Sequence, residues 1–186
     1  MRPETVGFQT TLDWKVRRRA LGFGDPCSLQ SMTLCLVRSE ISISYDALET
    51  ALASQRWQQA EKETVTLFRQ SANLGDRHPL NLSEIQELPC LMLGTIDQLW
   101  RTYSDNWFGF SVQREIWQKC GSPVSYSDNW DIFGNRVGWR QGGVWLPYTQ
   151  LNFELTSQTP RGHLPDLCLW GRRRAILFER YQYCSV

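Results

Sequence analysis

The chain is poor in the residues that most site chemistries need. Its 186 residues include only two histidines, His78 and His163, and six cysteines at 27, 35, 90, 120, 168 and 184 with no CxxC pair. A structural zinc site asks for closely spaced Cys and His ligands, so none is expected. With that scatter the cysteines read as small buried hydrophobes and free thiols of a reducing compartment. No phosphate loop, dinucleotide fingerprint or HExxH pattern is present. No apolar run approaches the roughly 18 residues that span a bilayer, and no apolar segment of a secretory signal stands at the start, which together predict a soluble protein. A formal net charge of +1 excludes a protein that works by general attraction to nucleic acid.

Aromatic residues, by contrast, are concentrated. Six of the nine tryptophans fall between Trp100 and Trp145. Residues 1–43, with the basic run Arg17-Arg18-Arg19 and the breakers Gly22, Gly24 and Pro26, differ from the rest and read as a poorly ordered leader or short helix. The domain then runs over 44–186, with a core at 45–165 and a basic tail at 166–186.

From Tyr45 onward the spacing is helical. Tyr45, Leu48 and Leu52 make one stripe, with Ser44 placed to cap it; Trp57, Ala60, Thr64, Leu67 and Phe68 make a second, ending near Ala72. A turn at Ser54-Gln55-Arg56 joins the two as a hairpin. Asn81 and Glu84 stand at capping-box spacing for a short helix that stops before Pro89. Ile96, Leu99, Trp100 and Tyr103 form the next stripe, and Ser104-Asp105-Asn106 supplies turn chemistry after it. Phe108-Gly109-Phe110 follows, and Ser111 is expected to cap a helix over 112–119. A further helix is expected at 127–135 under Ser127 or Asp128. Gln141-Gly142-Gly143 predicts a minimal hairpin or an extended loop between 137–139 and 144–145. Leu151, Phe153 and Leu155 alternate over too few positions for a strand, and helical spacing resumes from Leu167 through Tyr181.

A catalytic reading finds little support. Nothing in the local sequence couples His163 to Cys90, Cys120 or Cys168, so His163 is expected to bond backbone rather than to act as a base. Asp97, in an apolar helical context, is expected to be buried and to accept hydrogen bonds from a neighbouring turn. Binding is better supported. Trp139, Trp145, Tyr148, Leu151 and Phe153 sit on irregular backbone, where rings are offered to a flat apolar ligand, and Arg172, Arg173 and Arg174 can orient a carboxylate or phosphate.

The run Leu88-Pro89-Cys90, Leu93, Thr95-Ile96-Asp97, Leu99-Trp100, Tyr103-Ser104 and Phe108-Gly-Phe-Ser-Val-Gln113 resembles the signature of the GUN4 domain family. Trp57, Ala60-Glu61 and Glu63-Thr64 upstream agree in order, as do Val137-Gly-Trp-Arg140, Trp145, Phe153 and Gly162-His-Leu-Pro165 downstream. The resemblance implies an all-α, compact multi-helix domain with a concave apolar groove and a short irregular aromatic loop. It implies a non-enzymatic protein of oxygenic phototrophs that binds protoporphyrin IX or Mg-protoporphyrin IX, in some members a bilin. Such proteins stimulate magnesium chelatase with its large porphyrin-binding subunit and have been tied to plastid-to-nucleus signalling. The same resemblance implies a monomer in a cyanobacterial cytoplasm or chloroplast stroma, at most peripheral to thylakoid or envelope membranes. A GUN4-like adaptor or tetrapyrrole sensor that acts through protein contacts, without chelatase stimulation, is the alternative.

Carried onto this chain, the resemblance places the ligand against Leu82, Trp139, Trp145, Tyr148, Leu151 and Phe153. Arg174 and Arg172 then face its propionates, and Asp97, Phe108, Phe110 and Gln113 serve as scaffold. Glu61 stands where the family usually has Asp, and Tyr148 where a Trp can occur.

Overall fold

Ser44 opens the first helix, α1 (Asp46–Ala53): its Oγ accepts the Asp46 N–H one turn ahead of Leu48, Ala51 and Leu52, all buried. In the computed structural model, residues 43–74, 80–169 and 171–184 are described, and all belong to one unit that begins at Ile41. Apart from Ile43, the segment 1–43 set apart in the sequence lies outside the described residues. Gln55, in the left-handed region, turns the chain into α2 (Trp57–Ser71), whose stripe Trp57, Ala60, Thr64, Leu67 and Phe68 is buried as its spacing predicts. The capping box at Asn81 and Glu84 is formed and starts α3 (Leu82–Gln86).

Helix α4 (Cys90–Tyr103) buries Met92, Leu93, Ile96, Asp97 and Trp100, so Leu99 and Tyr103 lie at the edge of the stripe rather than in it. Asp105 and Asn106, both left-handed, make the sharp turn. Ser104 holds it, donating to Trp100 O and accepting from Phe108 N. The next helix, α5, runs Phe110–Lys119 and begins two residues earlier than expected. Its cap is not Ser111 but Asp97, reaching across from α4: Oδ1 accepts the Ser111 N–H at 2.9 Å, and Oδ2 accepts the Tyr181 hydroxyl at 2.7 Å. A long-range carboxylate thus takes the place of the local cap. Gly109 makes this approach possible. It has φ +125°, and a Cβ there would lie 2.8 Å from Asp97 Oδ1.

Ser127 caps α6 (Asp128–Val137), accepting the Trp130 N–H. The hairpin is smaller than expected: Val137 ends α6, and the ladder pairs only β1 (Arg140–Gln141) with β2 (Val144–Trp145) across Gly142-Gly143. A single 3-10 turn, Tyr148–Gln150, precedes extended chain without a strand. The peptide before Pro165 is cis. The last helix, α7 (Arg172–Cys184), starts later than the spacing suggests, since Leu167 and Cys168 are left-handed loop residues. Among the described residues the fold is therefore all-α but for one two-residue hairpin. None of these helices is long and apolar enough to cross a membrane.

Two cores share α7. One gathers α1 to α4 around Trp57, Trp100, Phe108 and Phe110; the other gathers α5 and α6 around Trp117, Trp130, Phe133 and Trp139. Ile176 and Leu177 of α7 enter the first, Ala175 and Phe178 the second. Trp57 meets Phe108 edge-on at 5.2 Å, and the Trp100 indole N–H is satisfied by Thr64 Oγ1. Cys90 and Cys184 are joined by a disulfide, whereas Cys120 and Cys168 are free. The reading of all cysteines as thiols is corrected here: a sequence separation of 94 gives no local sign that two helix ends meet.

Replacing Asp97 by Ala leaves the Ser111 N–H and the Tyr181 hydroxyl without their acceptor. A loss of about 2–4 kcal/mol in urea denaturation at unchanged m-value is expected. A loss under about 0.5 kcal/mol would show that the carboxylate does not cap α5.

Candidate functional site

The outward face of α2 carries Lys62, Val65, Thr66 and Arg69 at i, i+3, i+4 and i+7, opposite its buried stripe. Facing them is the loop after Pro165. Together with Glu61, Tyr148, Leu167 and Cys168 they line a depression of about 310 Å³. A second, of about 110 Å³, shares Val65, Arg69, Leu167 and Cys168 with it and extends to Leu80, Leu169 and Arg173. The result is one groove with apolar walls and cations along its edge.

The loop wall is built on a buried polar network. The Glu61 carboxylate, 1% exposed, accepts the backbone N–H groups of Asp166 and Leu167. Asp166 Oδ2 accepts the Cys168 N–H. Arg174, with no exposed surface, donates from Nε to Leu169 O and from Nη1 to Pro165 O and Gln113 Oε1, with Nη2 3.8 Å from Asp166 Oδ1. Its guanidinium lies 4.8 Å over the Trp139 ring. Gln113 closes the circuit, donating to Gly162 O and Pro165 O. These bonds hold Leu167 and Cys168 in left-handed conformations that neither side chain favours.

One guanidinium faces two carboxylates here. Burial first, then the neighbouring Asp166 charge, pushes Glu61 up to about 8, and burial raises Asp166 as well. Burial therefore favours the protonated carboxyl of Glu61 near neutrality, beside the single guanidinium of Arg174. Burial, with the carboxylates nearby, raises the Tyr148 phenol, which stays protonated in the groove; the same causes push the Cys168 thiol up to about 11. His163 is held neutral by burial, with Nδ1 on Val137 O at 2.7 Å and Nε2 accepting the Asn152 N–H. It bonds backbone, as expected, and belongs to the scaffold.

The residues marked in the sequence divide into three groups. Tyr148 lines the groove, and Phe153 backs it at 5.2 Å between centroids. Trp145 is half-buried on α6: it stacks on Trp130, donates from Nε1 to Asp131 and lies flat on Gly134, where a Cβ would meet its ring at 2.4 Å. Leu82 is half-buried against the first core. Trp139, Leu151 and Arg174 are core residues, 2%, 6% and 0% exposed. The Arg174 guanidinium and the Trp139 indole N–H both bond inside the protein, the latter to His163 O at 2.7 Å. Arg172 is exposed on another depression, beside Gln86, Val124 and Glu179. Successive helix residues point about 100° apart, so an arginine triplet cannot face one way, and Arg173 is the member at the groove. The sequence reading missed Lys62, Val65 and Arg69, and it named Arg173 only as one of the arginine triplet. Basic residues bracketing Val65 at helical spacing were the available signal.

Fold and groove define a small helical domain with an open, amphipathic, basic-edged cleft; among the described residues no group of three or more His, Cys, Asp or Glu could hold a metal ion. The GUN4-like family model matches residues 38–180, and the chain belongs to that family. It is 34% identical over 133 residues to a Ycf53-like protein of Synechocystis, covering 70% of this chain and 54% of that one. It is 32% identical over 136 residues to a chloroplastic tetrapyrrole-binding protein of Arabidopsis thaliana, covering 68% and 49%. The chain thus spans about half the length of the curated relatives it matches. Among solved structures, ligand-free Arabidopsis thaliana GUN4 superposes with a TM-score of 0.63 at 29% identity, over 75% of this chain and 99% of that one. GUN4 from Chlamydomonas reinhardtii gives 0.59 at 28%, over 78% and 90%.

The proton on the Glu61 carboxyl has a signed consequence. A carboxyl raised in the folded state adds stability below its unfolded value of about 4.5, and that stability is lost as pH climbs through about 8. Folding stability should therefore fall by a few kcal/mol between pH ~5 and ~9, and Glu61→Gln should flatten that slope even if it lowers stability at pH 5. Parallel pH profiles for the two proteins would refute the assignment.

Proposed function

We propose that this chain is a tetrapyrrole carrier rather than an enzyme, holding protoporphyrin IX or its magnesium complex in the groove between α2 and the 166–169 loop. The observation that carries the reading is the groove itself: Val65, Leu167 and Tyr148 offer apolar surface for a macrocycle, and Lys62, Arg69 and Arg173 stand where two propionates can reach them. Family membership and the name of the Arabidopsis relative support it. A wider depression of about 610 Å³ along α4 suits such a ligand less well, because no charged side chain lines it.

Burying apolar macrocycle area, at roughly 25 cal/mol per Å², drives binding against the cost of immobilising the ligand. The cations stay solvated and set orientation more than affinity. Trp145, Leu151 and Phe153 support the loop that carries Tyr148 instead of forming the whole contact, and Leu82 packs on the first core. Loaded with porphyrin, the protein acts on magnesium chelatase through its large porphyrin-binding subunit and stimulates it, in a cyanobacterial cytoplasm or chloroplast stroma.

Titration with a soluble protoporphyrin analogue, followed by quenching of tryptophan fluorescence, tests the site. Saturable quenching at micromolar ligand is expected. Tyr148→Ala should weaken it roughly tenfold, and Arg69→Ala or Arg173→Ala each about two- to fivefold, with the loss shrinking at high salt. Unchanged affinity in all three variants would move the ligand elsewhere. Chelatase assays with the same variants test the second half: stimulation should fall in step with affinity.

A further inference from the structure

The disulfide between Cys90 and Cys184 ties the first residue of α4 to the last residue of α7, with Cα atoms 5.0 Å apart. We propose that this pair is a reversible redox clasp, opened by a dithiol reductant, that governs the order of the end of α7. The inference does not rest on the tetrapyrrole reading.

Access is the first support. Both cysteines are only partly buried, and both line the depression of about 610 Å³ along α4 with Leu91, Gly94, Thr95, Gln98 and Leu99. Leu91 is 83% exposed. Thiol–disulfide exchange requires a thiolate to reach one sulfur, and this position allows it without unfolding the core. A disulfide buried in either core would not.

The second support is how little else holds the last turn of α7. Buried apolar anchors of this helix end at Phe178. Beyond it, Gln182 and Tyr183 are exposed, the latter at 72%, and Arg180 and Tyr181 are half-buried. Tyr181 and Cys184 pack, only partly buried, against the first core, and Arg180 Nε on Leu88 O, the Tyr181 hydroxyl on Asp97 and the disulfide fasten this end further. Arg180 also lies 5.3 Å from the Tyr183 ring. A helix end of this kind frays unless tethered, because its last carbonyls lack partners inside the helix. The covalent link thus stands beyond the last fully buried residue of α7, where packing has thinned to half-buried side chains and two segments far apart in sequence are kept together. The relatives come from a cyanobacterium and from a chloroplast. Disulfides inside reducing compartments are characteristically transient or redox-sensing rather than permanent.

The chemistry balances with a dithiol. One thiolate of the reductant attacks a sulfur of the pair, the Sγ–Sγ bond breaks, and the departing sulfur takes up a proton. The reductant's second thiol then resolves the mixed disulfide. The clasp gains two electrons and two protons while the reductant becomes a disulfide.

Alkylation under denaturing conditions and peptide mapping of the full chain, before and after dithiothreitol treatment under native conditions, test the proposal. The oxidised protein should yield a cross-linked Cys90–Cys184 peptide that disappears on reduction while the helical circular dichroism persists. Amide exchange in residues 179–184 should then speed up roughly tenfold, with the two cores unchanged. Cys184→Ser should show that faster exchange from the start, with no further response to reductant. Three results would overturn the proposal: no such cross-link in air-oxidised protein, a cross-link that resists reduction until the protein unfolds, or reduction that leaves exchange in 179–184 unaltered.

Discussion

The Arg174 guanidinium is buried without any exposed surface, and much of the molecule is arranged to make that tolerable. An unpaired charge in such a place would be prohibitive, so two backbone carbonyls, an amide oxygen, a carboxylate and an indole face surround it. Each partner is itself committed. Gln113 is oriented by its own donation to Gly162 O and Pro165 O, and Glu61 reaches from α2 to take the two N–H groups of the turn. Networks of this kind are costly when half-satisfied and rigid when complete. Here all but Arg174 Nη2, which faces Asp166 Oδ1 at 3.8 Å without a hydrogen bond, is satisfied, and the network fixes a loop that has no regular secondary structure and forms one wall of the groove.

A similar logic joins the two cores. Asp97 sits on α4 in the first core, yet it caps α5, whose inner face belongs to the second, and it also receives the Tyr181 hydroxyl from α7. The aromatic turn between α4 and α5 is locked by Ser104 and by the Gly109 N–H on Leu164 O. The turn, the helix start and the Gly162–Pro165 segment are therefore one structural unit assembled from two distant stretches of chain. This is why Phe108-Gly-Phe-Ser-Val-Gln113 and Gly162-His-Leu-Pro165 occur together: each supplies hydrogen-bonding groups that the other uses.

Helices α1 to α6 were legible from apolar spacing and from side-chain caps, since Leu48, Trp57, Phe68 and Ile96 recur at helical intervals and Asn81 and Ser127 act within a few residues of their own helices. What escaped depended on distance in sequence. The cap of α5 comes from Asp97, fourteen positions before the Ser111 N–H it accepts, and nothing local distinguishes it from a cap by Ser111 itself. The start of α7 was misplaced because Leu167 keeps helical spacing with later residues while its backbone is held left-handed by Glu61, from 106 positions away. The Cys90–Cys184 pair escaped for the same reason. The candidate site was half legible. Tyr148 was identifiable as a ring on irregular backbone, whereas Lys62, Val65 and Arg69 resemble an ordinary solvated helix face until a loop is laid across them.

The residues that make the sequence recognisable are thus buried in the frame, and none of them lines the groove. Asp97, Phe108, Phe110, Gln113, His163 and Leu164 are all at most 2% exposed, and each is occupied with packing or with hydrogen bonds inside the protein. They specify the concave frame. The groove surface is made instead by side chains under weaker structural constraint, such as Val65, Thr66, Arg69, Tyr148 and Arg173. Substitutions there cost little folding stability, so the groove surface can vary while the frame is kept. Glu61 is the exception, because it belongs to both layers: its carboxylate fastens the loop, and it borders the groove. A carboxyl whose charge is disfavoured by burial, beneath a cleft edged by cations, lets the scaffold bear directly on the electrostatics of the cleft.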